Sequence, residues 1–160
     1  MANEPEIIDV PRLIEPKRPS DTVDIDPELL AKAEALVAGL QPQYLTWVQE
    51  DLDRLQVALD GARAAEAAGR AEAMQPVFAI AHDIKGQGGS VGYPLITEIG
   101  GQLCGLLDGR LDFAEEVLEV VGLHVEAMRL VVAERMEGDG GKAGQRLKRG
   151  LQAVIAKIGG

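Results

Sequence analysis

Along most of the chain, apolar residues return at intervals of three and four positions, the spacing of one buried helix face. Asp26-Pro27-Glu28 reads as a helix start: an acid at the N-cap, proline at the first helical position, then a second acid. A first helix is predicted from there to about Ala38, with Gly39 ending it. Gln41-Pro42 opens a second, whose Leu45, Val48, Leu52, Leu55 and Leu59 share a face and whose Ala-rich continuation runs to Gly69. A third helix is predicted from near Glu72, with Pro76 in its tolerant first turn and Val77, Ile80, Ile84 and Val91 facing inward. Tyr93-Pro94 breaks it. The fourth runs from Pro94 to about Leu107 on Leu95, Ile99, Leu103 and Leu106, and Asp108-Gly109 turns the chain. Asp112 is expected to cap a fifth helix extending to about Glu137 (Leu118, Val121, Val125, Met128, Val132). After the GDGGKAG loop at 138–144 a sixth spans about Gln145 to Ile158, its apolar stripe finding a partner in the bundle.

No segment alternates with a period of two, and no internal repeat is present. The predicted fold is all-α: an antiparallel four-helix bundle, with additional short N- and C-terminal helices. Residues 1–25 hold Pro5, Pro11, Pro16 and Pro19 among alternating charges, and are expected to form an extended or disordered arm ahead of a bundle domain at 26–160.

Composition supports helices and excludes several functions. The 160 residues are 46% apolar and only 3% aromatic, too few aromatics for a large sandwich or barrel. The formal charge of −10 argues against nucleic acid as the main partner. Charge is uneven: residues 1–60 hold 13 acids against 5 bases, whereas 141–160 hold five bases and no acid, read as a solvated helix face. The single cysteine, Cys104, excludes an intrachain disulfide and a multi-cysteine metal site. Neither a signal-peptide pattern nor a run of about 18 apolar residues occurs, so no membrane partner and a cytoplasmic location are expected. The 19 glycines are the anomaly, since each costs about 0.5–1 kcal/mol inside a helix relative to alanine. Seven of them fall between residues 86 and 105.

That region also carries the unusual chemistry. In Ala81-His82-Asp83-Ile84-Lys85-Gly86-Gln87-Gly88-Gly89, the residues His82, Lys85, Gly86 and Gly89 are spaced i, i+3, i+4, i+7 and form one stripe. Ile80 and Ile84 lie two positions either side of His82, so if they face the core His82 faces outward. The predicted surface is an exposed imidazole beside nearly bare backbone, with a cation one turn away. Glycine permits close approach of another surface, and an ammonium can neutralise an anion carried by the imidazole. A neutral imidazole is a competent nucleophile near neutral pH. The arrangement fits a histidine that accepts a phosphoryl group and hands it on.

H-x-[IL]-K-G, followed by small residues and a glycine ten positions after the histidine, resembles the pattern of histidine-containing phosphotransfer (HPt) domains, the four-helix-bundle phosphoryl carriers of two-component phosphorelays. His82, Ile84, Lys85, Gly86 and Gly92 match, as do Gly88 and Gly89, and the resemblance spans roughly residues 40–137. It implies that His82 is phosphorylated, that Lys85 assists, and that Gly86 and Gly89 give room to a receiver domain. Phe78, Ala81, Gln87 and Tyr93 are candidates for an apolar docking rim. The implied partners are receiver domains of response regulators or hybrid histidine kinases. The chain would be a monomeric carrier rather than an enzyme, with no cofactor of its own and the Mg²⁺ on the receiver.

The sequence departs from that pattern at three places. Asp83 stands where many members have a hydroxyl or apolar residue, and Gln87 replaces a small one. Cys104 occupies the position, 22 after the histidine, where many members carry a Glu or Gln that hydrogen-bonds the imidazole. The orienting bond is then left to water, Gln102 or nothing, and a chemotaxis-kinase-type role is weakened. Thr97, Gly100, Gly101 and Cys104 form a small-residue stripe, which predicts close packing of the fourth helix on the third. Two other readings stand beside the carrier. His82-Asp83-Ile84-Lys85 faintly resembles the H-[ED]-[IL]-R run of dimeric histidine kinases, which would pair through the third and fourth helices; no ATP-binding domain follows it. A helical interaction bundle without phosphotransfer is the third. His124 is expected to be structural, Cys104 a small packing residue, and Asp108 and Asp112 turn and cap residues.

Overall fold

In the computed structural model, which describes residues 26–159, the Asp26 side chain accepts a hydrogen bond from the Glu28 N–H at 3.0 Å and opens α1, Pro27–Ala64. The predicted arm at 1–25 lies outside the described residues. The first correction is here: the two helices expected on either side of Gly39 are one. Pro42 sits inside α1, where it has no N–H to offer Ala38. Both residues are exposed, so water meets the Ala38 carbonyl. Packing of Tyr44, Val48, Leu52, Leu55, Leu59 and Ala62 into the core holds the rest of the helix.

A 3₁₀ turn at Ala67–Gly69 and the short α2, Arg70–Ala73, replace the expected continuation to Gly69 and the start near Glu72. Arg70 ties this corner to the α4–α5 connection at the same end of the bundle: its guanidinium donates to the Phe113 carbonyl at 3.2 Å and pairs with Glu115. The second bundle helix, α3, is Gln75–Gln87, with Pro76 in its first turn as predicted. Its last turn tightens into a 3₁₀ segment, Gly88–Val91, and the chain reverses at Gly92, where φ is +91°. Helix α4 is Pro94–Leu107, the predicted span.

Helix α5 is Glu115–Ala133, shorter at both ends than expected, and its N-cap is Ala114 rather than Asp112. Glu115 and Glu116 in its first turn complement the helix dipole in place of a side-chain cap. Helix α6, Gly141–Lys157, starts earlier than expected. It lies against α4 and α5 through buried Leu151, half-buried Leu147, Val154 and Ile155, and a Lys148–Glu98 ion pair at 3.3 Å. The architecture is the all-helical bundle that the periodicity predicts: α1, α3, α4 and α5 surround one core, and α6 is added on its flank.

Candidate functional site

Helix α3 turns one face inward and the other to solvent. Val77, Ile80, Ala81 and Ile84 are buried, whereas His82, Asp83, Lys85, Gly86 and Gln87 are exposed. The sequence argument for an outward imidazole therefore holds. One turn before His82, half-buried Phe78 lies beside it, with ring centroids 6.3 Å apart and planes 35° apart. One turn after it comes Lys85. An ideal Cβ on Gly86 would meet nothing within 4 Å, and one on Gly89 would come no nearer than 3.7 Å to Thr97 Oγ1. These two glycines leave a shallow, bare strip beside the histidine.

Two other glycines serve packing behind that strip. A Cβ on Gly100 would stand 3.2 Å from Lys85 Cα and Cβ, and one on Gly88 would stand 2.8 Å from the Tyr93 carbonyl. Helix α4 thus presses against the back of α3, as its small-residue stripe predicts. Thr97 Oγ1 donates to the Lys85 carbonyl at 2.9 Å and pins the same turn. The inward faces of α3 and α4 pack on each other within this one bundle.

The structure sorts the expected rim residues. Phe78 and Gln87 reach the surface. Tyr93 and Ala81 do not: Tyr93 is 1% exposed and stacks on Tyr44 at 5.7 Å, because the left-handed turn at Gly92 swings it inward. Two apolar depressions flank the His82 stripe instead. One, of about 540 Å³, lies beyond Phe78 and is walled by Met74, Leu107, Leu111 and Phe113. The other, of about 460 Å³, lies beyond Gly86 and Gln87 and is walled by Leu40, Tyr44, Trp47 and Val91. Sequence reasoning missed Trp47, Leu40 and Leu111. Trp47 is the only tryptophan and immediately precedes the core residue Val48, so a large aromatic just off the buried face was the available signal.

No described residue hydrogen-bonds the His82 ring. Gln102 faces away, its Nε2 donating to the Lys148 carbonyl of α6 at 3.4 Å. Cys104 is buried, and burial pushes its thiol pKa up, with Lys85 opposing that shift, so it is a neutral packing group. His124 is fully buried in α5 and donates from Nδ1 to the Val120 carbonyl at 2.8 Å; burial holds its pKa below the ordinary value. It is a core residue. Among the described residues no group of three or more His, Cys, Asp or Glu converges on a metal-sized space, and no helix is long and apolar enough to cross a membrane.

A family model described as Hpt domain matches residues 39–154. The chain belongs to the Hpt domain family. The match begins in α1 and runs into α6, so it takes in the added helix as well as the four of the bundle. No curated protein and no solved structure matches the chain. Hpt domains are histidine phosphocarriers of phosphorelays that interact with receiver domains of two-component systems, and that coarse activity belongs to this chain through the family.

Proposed function

We propose that this Hpt domain is a relay intermediate: His82 accepts a phosphoryl group from the aspartate of one receiver domain and passes it to the aspartate of another. The observation that carries the reading is the outward imidazole of His82 on a strip that Gly86 and Gly89 leave bare, with Lys85 one turn on.

The chemistry follows from those groups. The lone pair of His82 Nε2, the ring nitrogen further from the helix backbone, attacks phosphorus. The bond from phosphorus to the aspartyl oxygen breaks, its electrons remain on the carboxylate, and the Nδ1 proton leaves to solvent. Lys85 offsets the dianionic charge carried on the ring. The return step reverses these changes on a second receiver. The receiver brings its own Mg²⁺ and the groups that orient its aspartate, so this chain supplies an acceptor and a docking surface. The depressions beside Phe78 and beside Trp47 are the apolar ground on which the receiver sits. The acidic balance and the absence of a spanning helix among the described residues agree with a protein partner and a cytoplasmic setting.

The test is transfer from a receiver phosphorylated on aspartate. Label should appear on this chain as acid-labile, base-stable phosphate and should vanish in His82→Ala. Absence of label with a panel of receivers, or label that persists in His82→Ala, overturns the reading and leaves a bundle that binds without transferring.

A further inference from the structure

From Pro27 to Gln43, α1 runs beyond the core. Every residue there is exposed except half-buried Gln41, and Tyr44 is the first to be buried. At 1.5 Å per residue the projection is about 25 Å long. An isolated helix of that length is marginal in water, and this one carries Gly39 and Pro42. It nevertheless bears an apolar row: Leu29, Leu30, Leu36 and Val37 are all exposed, from 37% at Val37 to 72% at Leu36. Its charged side chains are only Glu28, Lys32 and Glu34.

The row has a symmetry that selects its occupant. Ala33 is the centre. Leu29 and Leu30 lie four and three positions before it, and Leu36 and Val37 lie three and four after it. An antiparallel copy crossing at Ala33 would set Leu29 beside Val37 of the second copy and Leu30 beside Leu36. The small side chain at the crossing lets the two backbones approach. Such self-matching is what a twofold interface requires of one surface. The direction is fixed by the bundle. Leu30, Ala33, Val37 and Leu40 continue at three- and four-residue spacing into Tyr44, Val48 and Leu52, so the exposed row lies on the core side of α1. A parallel copy would drive its bundle into the first; an antiparallel copy carries it to the opposite end.

We propose that the protein is a homodimer joined by antiparallel pairing of the two projecting halves of α1 about Ala33. This interface is distinct from the α3–α4 pairing of a dimeric kinase core, does not rest on the phosphotransfer reading, and replaces the monomer expected from the sequence.

The experiment is light scattering of the full chain over a concentration series. The expected mass is twice the chain's 17.0 kDa. Ala33→Glu, which sets two carboxylates against each other at the crossing, should return it to the single-chain mass with helical content kept. Orientation is read by oxidising an equimolar mixture of the Leu30→Cys and Leu36→Cys proteins; native Cys104 is buried. The mixed disulfide should exceed either homodisulfide severalfold. A single-chain mass up to roughly 100 µM overturns the proposal. So does a dimer indifferent to Ala33→Glu, or predominance of homodisulfides, which marks parallel pairing. A single-chain mass that doubles on deletion of residues 1–25 also overturns it, by assigning the row to that segment. Protection of residues 29–40 from protease only when a receiver is added does the same, in favour of a receiver contact.

Discussion

Gly100 of α4 faces the backbone of Lys85 so closely that a methyl group there would sit 3.2 Å from the Lys85 Cα. The contact lies directly behind the phosphoacceptor face and sets how α3 is seated. Gly100→Ala gains helix propensity of roughly 1 kcal/mol, which offsets the slight shift it demands. Gly100→Val has no such offset and forces the helices apart, at a cost of about 1–3 kcal/mol. Urea unfolding of the two variants should show the alanine near wild type and the valine clearly below it.

Gly86 is the opposite case. Nothing lies within 4 Å of where a Cβ on it would stand. Gly86→Leu should therefore fold with unchanged or slightly higher stability, because a helical glycine is replaced. The bulk would occupy the strip that a receiver must approach. Transfer to His82 should fall by roughly tenfold or more, the equivalent of about 1.4 kcal/mol lost from docking. A stable variant with unimpaired transfer would remove Gly86 from the docking surface.

Lys85 separates charge from fold. Its side chain is exposed while its carbonyl is held by Thr97. Lys85→Ala should leave the melting curve in place and slow phosphoryl transfer roughly tenfold, the scale of one charge-assisted hydrogen bond. Lys85→Arg should restore most of the rate. A slow arginine variant would mean that geometry rather than charge is at stake.

His124 makes stability depend on pH. Burial lowers its pKa in the folded state, so the unfolded chain binds the proton more readily. Stability is then full above the unfolded value of about 6.5 and falls as pH drops through it toward the lower folded value. His124→Leu fills similar volume without a titrating ring and removes an Nε2 that has no protein partner. Denaturation midpoints at pH 7.5 and pH 5.5 should differ for the wild type, with much of that difference absent from the variant.

The local patterns were legible where one helix settles its own boundary. Pro94–Leu107 could be read directly, since proline opens it and Asp108-Gly109 follows it. The outward direction of His82 came from Ile80 and Ile84 alone, and the close α3–α4 contact from a stripe of small residues. The continuity of α1 was not legible. Gly39 and Pro42 are local stop signals, and they are overridden by helix propagation from a segment whose other end is packed. The burial of Tyr93 was hidden for a similar reason. Its neighbour is Tyr44, brought to it by the reversal at Gly92 and not by anything near it in the chain. Leu40 and Trp47 flank the site from α1, so only the assembled bundle shows them there.

The turn that follows the phosphoacceptor helix is not self-supporting. The Gly92 carbonyl accepts a hydrogen bond from the Gly138 N–H at 3.0 Å, so the loop before α6 is tied to the reversal between α3 and α4. Gly138, Gly140 and Gly141 all take positive φ, which makes that loop intolerant of side chains at three positions. Its sequence is therefore constrained from a distance. Drift in the α5–α6 loop would be felt first at the end of the helix that bears His82, and the two segments are expected to change together among related chains.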